Sequence, residues 1–466
     1  MTDRYDVAVI GAGPAGTAAA LRAAELGAKV VVLEAAEPGG TCVNTGCVPT
    51  RVLAKTARLI RDARAAGEYG IRISDPQLDW PAVVARVRER RDAVRSIKRE
   101  AVRFEQAGVD LVREGRARFV DDSTLQLDSG RTITAGSVII AVGGHSRRLP
   151  IPGAELATVP EHVLDLPELP RRVAVIGAGN TGAQLVTILS SFGSQVTLLE
   201  VAPRVLMPAD DAVSELVAAS FTDQGVDLHV GIETVESLQQ TDRGIELRWR
   251  EGGEATTSEF DAVVMATGWP ADVDDLGLAG AGIETERSFI PVDRYFRTRV
   301  PHIFAIGDSN GRDLLVQGAQ TEGEAAAENA VLGTNRAMPQ QLLPAGGFTD
   351  PDYADVGFTE TQARERDPQC VVATVRYADL DRAVIDHREH GFLKLIADRH
   401  RRLILGAHAA GENAVEVVQA VTTAMAAGAE VSTLASVRFA YPTYSAIIGI
   451  AARALLQEPA RDAELN

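Results

Sequence analysis

Cysteine is scarce in this chain, three in 466 residues, which excludes the disulfide framework of a small secreted domain. Met1 leads into the polar run Thr2-Asp3-Arg4 rather than an apolar leader, so a reducing cytoplasm is the expected compartment. Long apolar runs are missing too. No window approaches the roughly 18 to 20 uninterrupted apolar residues of a spanning helix, and membrane insertion is not expected. Excess positive charge is absent: the formal net charge is −17, which argues against nucleic acid as a partner, because phosphate contacts need a basic footprint. One local exception, RVRERRDAVRSIKREAVR at 86–103, holds eight basic residues against three acids. There Val87, Val94, Ile97 and Ala101 recur at helical spacing, which predicts one amphipathic helix with a solvated basic face. Cys370, alone in the apolar run CVVATV, is expected in a core. At about 150 residues per domain, the length suggests roughly two to four domains.

What is present begins with a repeat. VAVIGAG occurs at 7–13 and again at 173–179, each copy a β-branched run feeding a glycine turn and then a helical pattern. The turns are Gly11-x-Gly13-x-x-Gly16 and Gly177-x-Gly179-x-x-Gly182. In such a turn the first glycine permits the bend, the second admits a pyrophosphate to the backbone, and the third lets helix pack on strand. The phosphates then meet free helical N–H groups. Each copy continues into a strand that ends in an acid, Glu34 or Glu200, and both acids stand 23 residues past the first glycine. That spacing suits a carboxylate on a ribose 2′-hydroxyl. Two dinucleotide sites are expected, and with them electron transfer between two cofactors.

SVIIAVGG at 137–144 and AVVMATG at 262–268 read as buried strands whose small terminal residues, Gly143 and Gly268, let backbone approach a ligand. HIFAIGDS at 302–309 is a third, with Asp308 placed to bond a polar ligand chain. From GGFTDPDYADVGFTE onward the pattern changes to alternating strands and one long helix, an α+β domain. The expected class is therefore α/β, with two Rossmann-like domains and a C-terminal α+β domain. The expected boundaries are 1–149 for the first part of one nucleotide domain, 150–273 for the other, 274–343 for the return to the first, and 344–466 for the last.

The two remaining cysteines lie together in GGTCVNTGCVPTR, residues 39–51. Five residues along an ideal helix separate side chains by about 140° in azimuth, so Cys42 and Cys47 do not share one regular helix. Pro49 suits a first helical turn, which sets Cys47 near the start of a helix, where the dipole favours a thiolate. A structural disulfide is poorly placed in a reducing compartment. A zinc site needs about four ligands, and no histidine or further cysteine lies in the first 144 residues. A redox pair is the reading that fits best.

These motifs, with the later GFLKLIAD and LGAHAAGENAVEVVQ, resemble the flavoprotein disulfide reductases, the group of lipoamide dehydrogenase, glutathione reductase and mercuric reductase. The resemblance spans nearly the whole chain. It implies FAD in the first site, NADH or NADPH in the second, and a homodimer formed by the C-terminal domain, with active sites shared between subunits. It further implies that Cys42 attacks the substrate, that Cys47 contacts the flavin, that Asp308 holds the ribityl chain, and that Gly40, Thr41, Arg51 and Gln184 belong to the cofactor-binding set.

The departures bear on substrate. Where the family has His-x-x-x-x-Glu, a dyad that protonates a leaving thiol, this chain has Tyr441 and Ala446, and all eight histidines lie at or before His408. Tyrosine, with an ordinary pKa near 10, is a poor proton carrier at neutral pH. Mercuric reductases share the tyrosine but add a C-terminal cysteine pair, whereas this sequence ends QEPARDAELN. The chain thus resembles a mercuric-reductase-like branch without the delivery pair, in which Cys42 and Cys47 are transient ligands for a soft substrate metal. Arg51 and Gln184 stand where the family usually has lysine and glutamate, keeping a cation and removing its carboxylate. Glu200 favours NADH, with Arg204 as the contrary signal. The expected activity is electron transfer from nicotinamide through flavin and the cysteine pair to a thiol-bound metal ion or an unusual disulfide. The rivals are a quinone or diaphorase-type flavin reductase and a non-catalytic flavin-binding sensor.

Overall fold

The computed structural model describes residues 3–338, 342–399 and 403–457; the terminal stretch 458–466, and with it nearly all of QEPARDAELN, lies outside them. The first VAVI run becomes the central strand Asp3–Ile10, paired in parallel with Val30–Leu33 on one side and Thr132–Ile140 on the other. Val7, Val9 and Ile10 are all buried, because helices or chain cover both faces of the sheet and leave no solvent side to alternate toward. Asp110–Val112 extends one edge. Thr132–Ile140 divides its other edge, pairing antiparallel with Thr124–Leu127 through its first residues and parallel with Ile303–Ala305 through its last. Residues 303–305, far along the chain, thus complete the sheet that residues 3–10 begin.

The second copy repeats the arrangement. Ala262–Met265, Arg172–Ile176, Gln195–Glu200 and Asp227–Val230 form a four-stranded parallel sheet in that order. A three-stranded antiparallel meander, Thr234–Thr241, Gly244–Glu251 and Glu254–Phe260, stands beside it. In both copies the first glycine of the turn has positive φ, 101° at Gly11 and 103° at Gly177, a region that only glycine enters cheaply. The third glycine is required by space: a Cβ at Gly16 or Gly182 would lie 1.9 Å from the carbonyl oxygen of Gly11 or Gly177. Helix and strand touch backbone to backbone there.

The C-terminal part is a five-stranded antiparallel sheet in the order Ala345–Gly347, Tyr353–Gly357, Ile404–Ala410, Phe392–Ala397, Val371–Arg376. The expected single long helix is two, Ala414–Ala426 and Ala446–Gln457, separated by the short helix Val431–Ser436. The basic stretch is also two helices, Trp80–Lys98 and Glu100–Gln106, broken at Arg99 with φ 51°. Val87 is buried as the pattern requires, but Ile97 is 80% exposed, because the break ends the packed face before that position. Cys370 is in a small core with Ala363 and Ile396.

Ionic contacts tie the C-terminal part to the rest. Lys394 Nζ, nearly buried, donates to Asp210 at 2.7 Å and Glu360 at 2.8 Å; Asp210 also caps the helix Asp211–Asp223 of the second nucleotide unit. The 19-residue helix Cys47–Ala65 is held at its far half, where Arg58 pairs with buried Asp352 and Arg61 with Asp350 at 2.8 Å and Glu412 at 3.2 Å. Removing one partner of such a pair leaves the other charge desolvated, which costs more than the pair itself contributes. Among the described residues no helix is long and apolar enough to cross a membrane.

Candidate active site

Both glycine turns open on one cavity of about 1340 Å³, large for a single small ligand. Its wall contains Gly11, Gly13, Glu34, Gly40, Thr41, Cys42, Cys47, Gly143 and Asp308 from the first unit, and Gly177, Gly179, Gln184, Glu200 and Gly268 from the second. Gly16 and Gly182 are not in the wall, as their packing role requires. Each turn is braced by its acid. Glu34 accepts from Ala12 N at 2.7 Å and Ala36 N at 2.8 Å; Glu200 accepts from Ala178 N at 2.6 Å and Ala202 N at 2.7 Å. The helices that follow, Pro14–Glu25 and Asn180–Phe192, have glycine N-caps with no side-chain cap and no acid in the first turn. Their first N–H groups are thus available to an anion.

The cysteines occupy two elements, as their spacing requires. Cys42 lies in the short helix Gly40–Asn44, and Cys47 is the first residue of the helix Cys47–Ala65. Thr45 and Gly46 turn the chain between them, both donating their N–H to Thr41 O. The two thiols are unbridged and close enough to share a hydrogen bond.

Residues 5–323 match the model of the pyridine nucleotide-disulphide oxidoreductases, and residues 343–452 match the dimerisation domain of the same group. The chain belongs to that family. The dihydrolipoyl dehydrogenase of Geobacillus stearothermophilus is 33% identical over 460 residues, 97% of this chain and 96% of that one. The mercuric reductase of Staphylococcus aureus is 32% identical over 436 residues, 92% of this chain and 78% of the other. A solved Cu(II) complex of the HOCl-induced flavoprotein disulfide reductase RclA from Escherichia coli superposes with a TM-score of 0.85 at 26% identity, covering 97% of this chain and all of that one (100%). Pyridine nucleotide-disulphide oxidoreductases are FAD-dependent and use NAD(P)H, and the dimerisation domain indicates a homodimer.

The residues of this oxidoreductase fit such cofactors. A Cβ at Gly40 would stand 2.8 Å from the Gly13 Cα, so two glycine backbones pass side by side in the wall. Nothing lies within 4 Å of a Cβ built at Gly143 or Gly179, both of which open on the cavity. These are cradles that side chains would fill.

Electrostatics distinguishes the two thiols. Cys42 donates to Cys47, and this bond, then burial, pushes the Cys42 pKa up. The same bond brings Cys47 down to about 7 against its own burial, aided by the Cys47 backbone N–H at the start of its helix. Cys47 is exposed, and the space it meets is the cavity. Burial raises the carboxyl pKa of Asp308, and a hydrogen bond from Trp269 Nε1, 2.8 Å from Oδ2, opposes the rise.

Besides Gly16 and Gly182, two expected site residues, Arg51 and Tyr441, are not in the wall. Arg51 stacks on the Phe348 ring with 3.6 Å from guanidinium carbon to centroid, and it is Phe348 that lines the cavity. The long side chain packs behind the ring, with Nη1 buried and unpartnered. Gln184 accepts from the same residue's N–H at 3.2 Å, so both departures from the family pattern converge on Phe348. Tyr441 is 78% exposed in the single chain, and its hydroxyl donates to Asp381 at 2.8 Å. That bond raises its pKa above the ordinary tyrosine value. Asp381 was not legible as a site residue, since 60 positions separate the two. Arg204 is drawn away from Glu200 to Asp211, at 3.0 Å, and to the carbonyls of Met207 and Ala209.

Proposed function

We propose that this chain is an NADH-dependent flavoprotein oxidoreductase that delivers electrons through Cys42 and Cys47 to a thiol-binding metal ion, Cu(II) or Hg(II), in preference to an ordinary disulfide. The observation that carries the reading is the pairing of a retained cysteine couple with a Tyr441 hydroxyl whose proton is committed to Asp381. A hydroxyl held in that way is a poor donor to a leaving thiolate. A metal ion accepts electrons with no leaving thiolate to protonate, and soft thiolates bind it.

Gly11, Gly13, Glu34, Gly40, Thr41, Gly143 and Asp308 would hold FAD, and Gly177, Gly179, Gln184, Glu200 and Gly268 would hold the nicotinamide nucleotide. When bound, FAD supplies the two-electron relay between reduced nicotinamide and the cysteine pair. Cys47, with the lower pKa, carries the thiolate charge on the flavin side. Cys42 is the thiol that reaches the acceptor. With Cu(II), the Cys42 thiol and the Cys47 thiolate close to a disulfide as two Cu(II) ions become Cu(I) and one proton leaves. The Cu(II)-bound RclA relative supports copper as the first acceptor to test.

The test is anaerobic NADH oxidation with Cu(II), Hg(II), glutathione disulfide and a quinone, using the unmodified protein and Cys42→Ser. Loss of Cu(II) and Hg(II) turnover in the variant, with quinone turnover kept, is the expected result. Equal turnover of all acceptors by both proteins would instead assign the flavin itself as donor, the diaphorase reading. Slow flavin reduction by NADH and NADPH alike would leave the sensor reading.

A further inference from the structure

Trp269 is a half-buried wall residue of the cavity with one polar atom, and that atom is spent on Asp308: Nε1 donates to Oδ2 at 2.8 Å. Asp308 follows the strand Ile303–Ala305 in a short turn, Gly307–Ser309, itself anchored from behind where buried Glu322 accepts from Gly307 N at 2.7 Å. Among the described residues the Asp308 Oδ1 atom has no hydrogen-bond partner. The indole has been given its room by a third residue. Gly144 has no positive φ, so its backbone accepts any residue. Yet a Cβ there would lie 2.4 Å from Trp269 Nε1 and 2.7 Å from the Pro270 carbonyl oxygen. A side chain at 144 is therefore forbidden by the indole and its neighbour, not by the local conformation.

We propose that Trp269 is a positioning residue for the flavin: its indole N–H fixes the Asp308 carboxylate by one oxygen, so that the other is presented to the ribityl hydroxyls, and Gly144 keeps the indole in place. This rests on the reading of Asp308 as the ribityl contact. Three segments distant in sequence, at 144, 269 and 308, act as one unit, in which the cavity wall orients a carboxylate before the ligand arrives. A carboxylate held by only its main chain would lose rotamer freedom on binding, and that ordering weakens affinity. Prior fixation removes the loss. The indole also supplies a hydrogen bond to a half-buried carboxylate, a type worth more than a neutral pair.

The experiment measures FAD release from the holoenzyme by the rise in flavin fluorescence on dilution, for Trp269→Phe, Asp308→Asn and the double variant. Trp269→Phe keeps the ring and removes the donor, and it is expected to speed FAD release by about tenfold to a hundredfold. Asp308→Asn should do at least as much, and the double variant no more than the worse single variant, since Trp269 acts through Asp308. Gly144→Ala reaches the same contact from the other side, and a matching acceleration is expected should Trp269→Phe fail to fold. Release within twofold of the unmodified rate in Trp269→Phe, or effects that multiply in the double variant, overturns the proposal. No change in Asp308→Asn overturns both this proposal and the ribityl reading beneath it, whereas a change confined to Asp308→Asn leaves that reading standing and removes only the role of Trp269.

Discussion

The proposed preference for NADH over NADPH rests on Glu200, and Glu200→Ala tests it. Both carboxylate oxygens are tied to backbone N–H groups, Ala178 at 2.6 Å and Ala202 at 2.7 Å, so the charge is fixed and has no freedom to swing from a 2′-phosphate. At about 5 Å, two unit charges repel by about 0.8 to 3 kcal/mol for effective dielectrics between those of water and a protein surface. The 2′-hydroxyl of NADH instead offers this carboxylate a donor, worth about 1.5 kcal/mol or more. Each 1.4 kcal/mol is about tenfold, so kcat/KM for NADH is expected to exceed that for NADPH by at least about tenfold. Arg204 does not offset this, because Asp211 and two carbonyls hold it. In Glu200→Ala the ratio should narrow by about tenfold, read from initial rates at saturating quinone with each nucleotide varied. NADPH used as well as NADH by the unmodified enzyme, or a ratio that Glu200→Ala leaves unmoved, would refute the argument.

Reduction by dithionite or NADH without oxygen should give a long-wavelength absorbance from the Cys47 thiolate beside oxidised flavin, and Cys47→Ser should abolish it; a band that persists reverses the assigned roles of the cysteines. Tyr441→Phe, which removes the hydroxyl that Asp381 holds, should keep Cu(II) turnover within about twofold of the unmodified protein, because this acceptor has no leaving thiolate to protonate; a loss of about tenfold or more would give the hydroxyl a direct part in the reaction. His229 lies between Glu251 at 2.7 Å and Asp227 at 3.2 Å. Burial pulls its pKa down, but the two carboxylates outweigh that and the net shift is upward. The stabilisation is therefore complete below about pH 6.5 and lost as pH rises through the higher folded-state value. His229→Gln should cost about 0.5 to 1 kcal/mol at pH 6 and less at pH 9 by denaturant unfolding, and an equal cost at both would exclude the imidazolium.

The nucleotide folds were legible because their signals are local. A β-branched run, a glycine turn and an acid 23 residues on report a strand, a bend and the carboxylate that braces the bend within one supersecondary unit. The cysteine pair was legible for the same reason. What escaped depends on contacts that no window spans. Arg99 takes positive φ without the glycine that would announce it, and so one expected helix is two. Trp269 meets Asp308 across 39 residues and Tyr441 meets Asp381 across 60. Arg204 was read against Glu200, its neighbour in sequence, while the fold gives it to Asp211. Arg51 was assigned to the cofactor by position in a motif, and its guanidinium is instead spent on the Phe348 ring.

The helix that begins at Cys47 is clamped some three to four turns away, by Arg58 and Arg61, to acids of the C-terminal part. An α-helix of that length hardly compresses, so it serves as a gauge rod about 16 to 21 Å long between the clamp and the thiol. The datum from which Cys47 is positioned is then the domain that forms the dimer, rather than the floor of the cavity. Substitutions at Asp350, Asp352 or Glu412 touch neither thiol nor nucleotide, yet they would shift the origin of measurement for the redox pair. In the homodimer that this domain indicates, the surface that meets the partner subunit would also be the one from which each thiol is aligned.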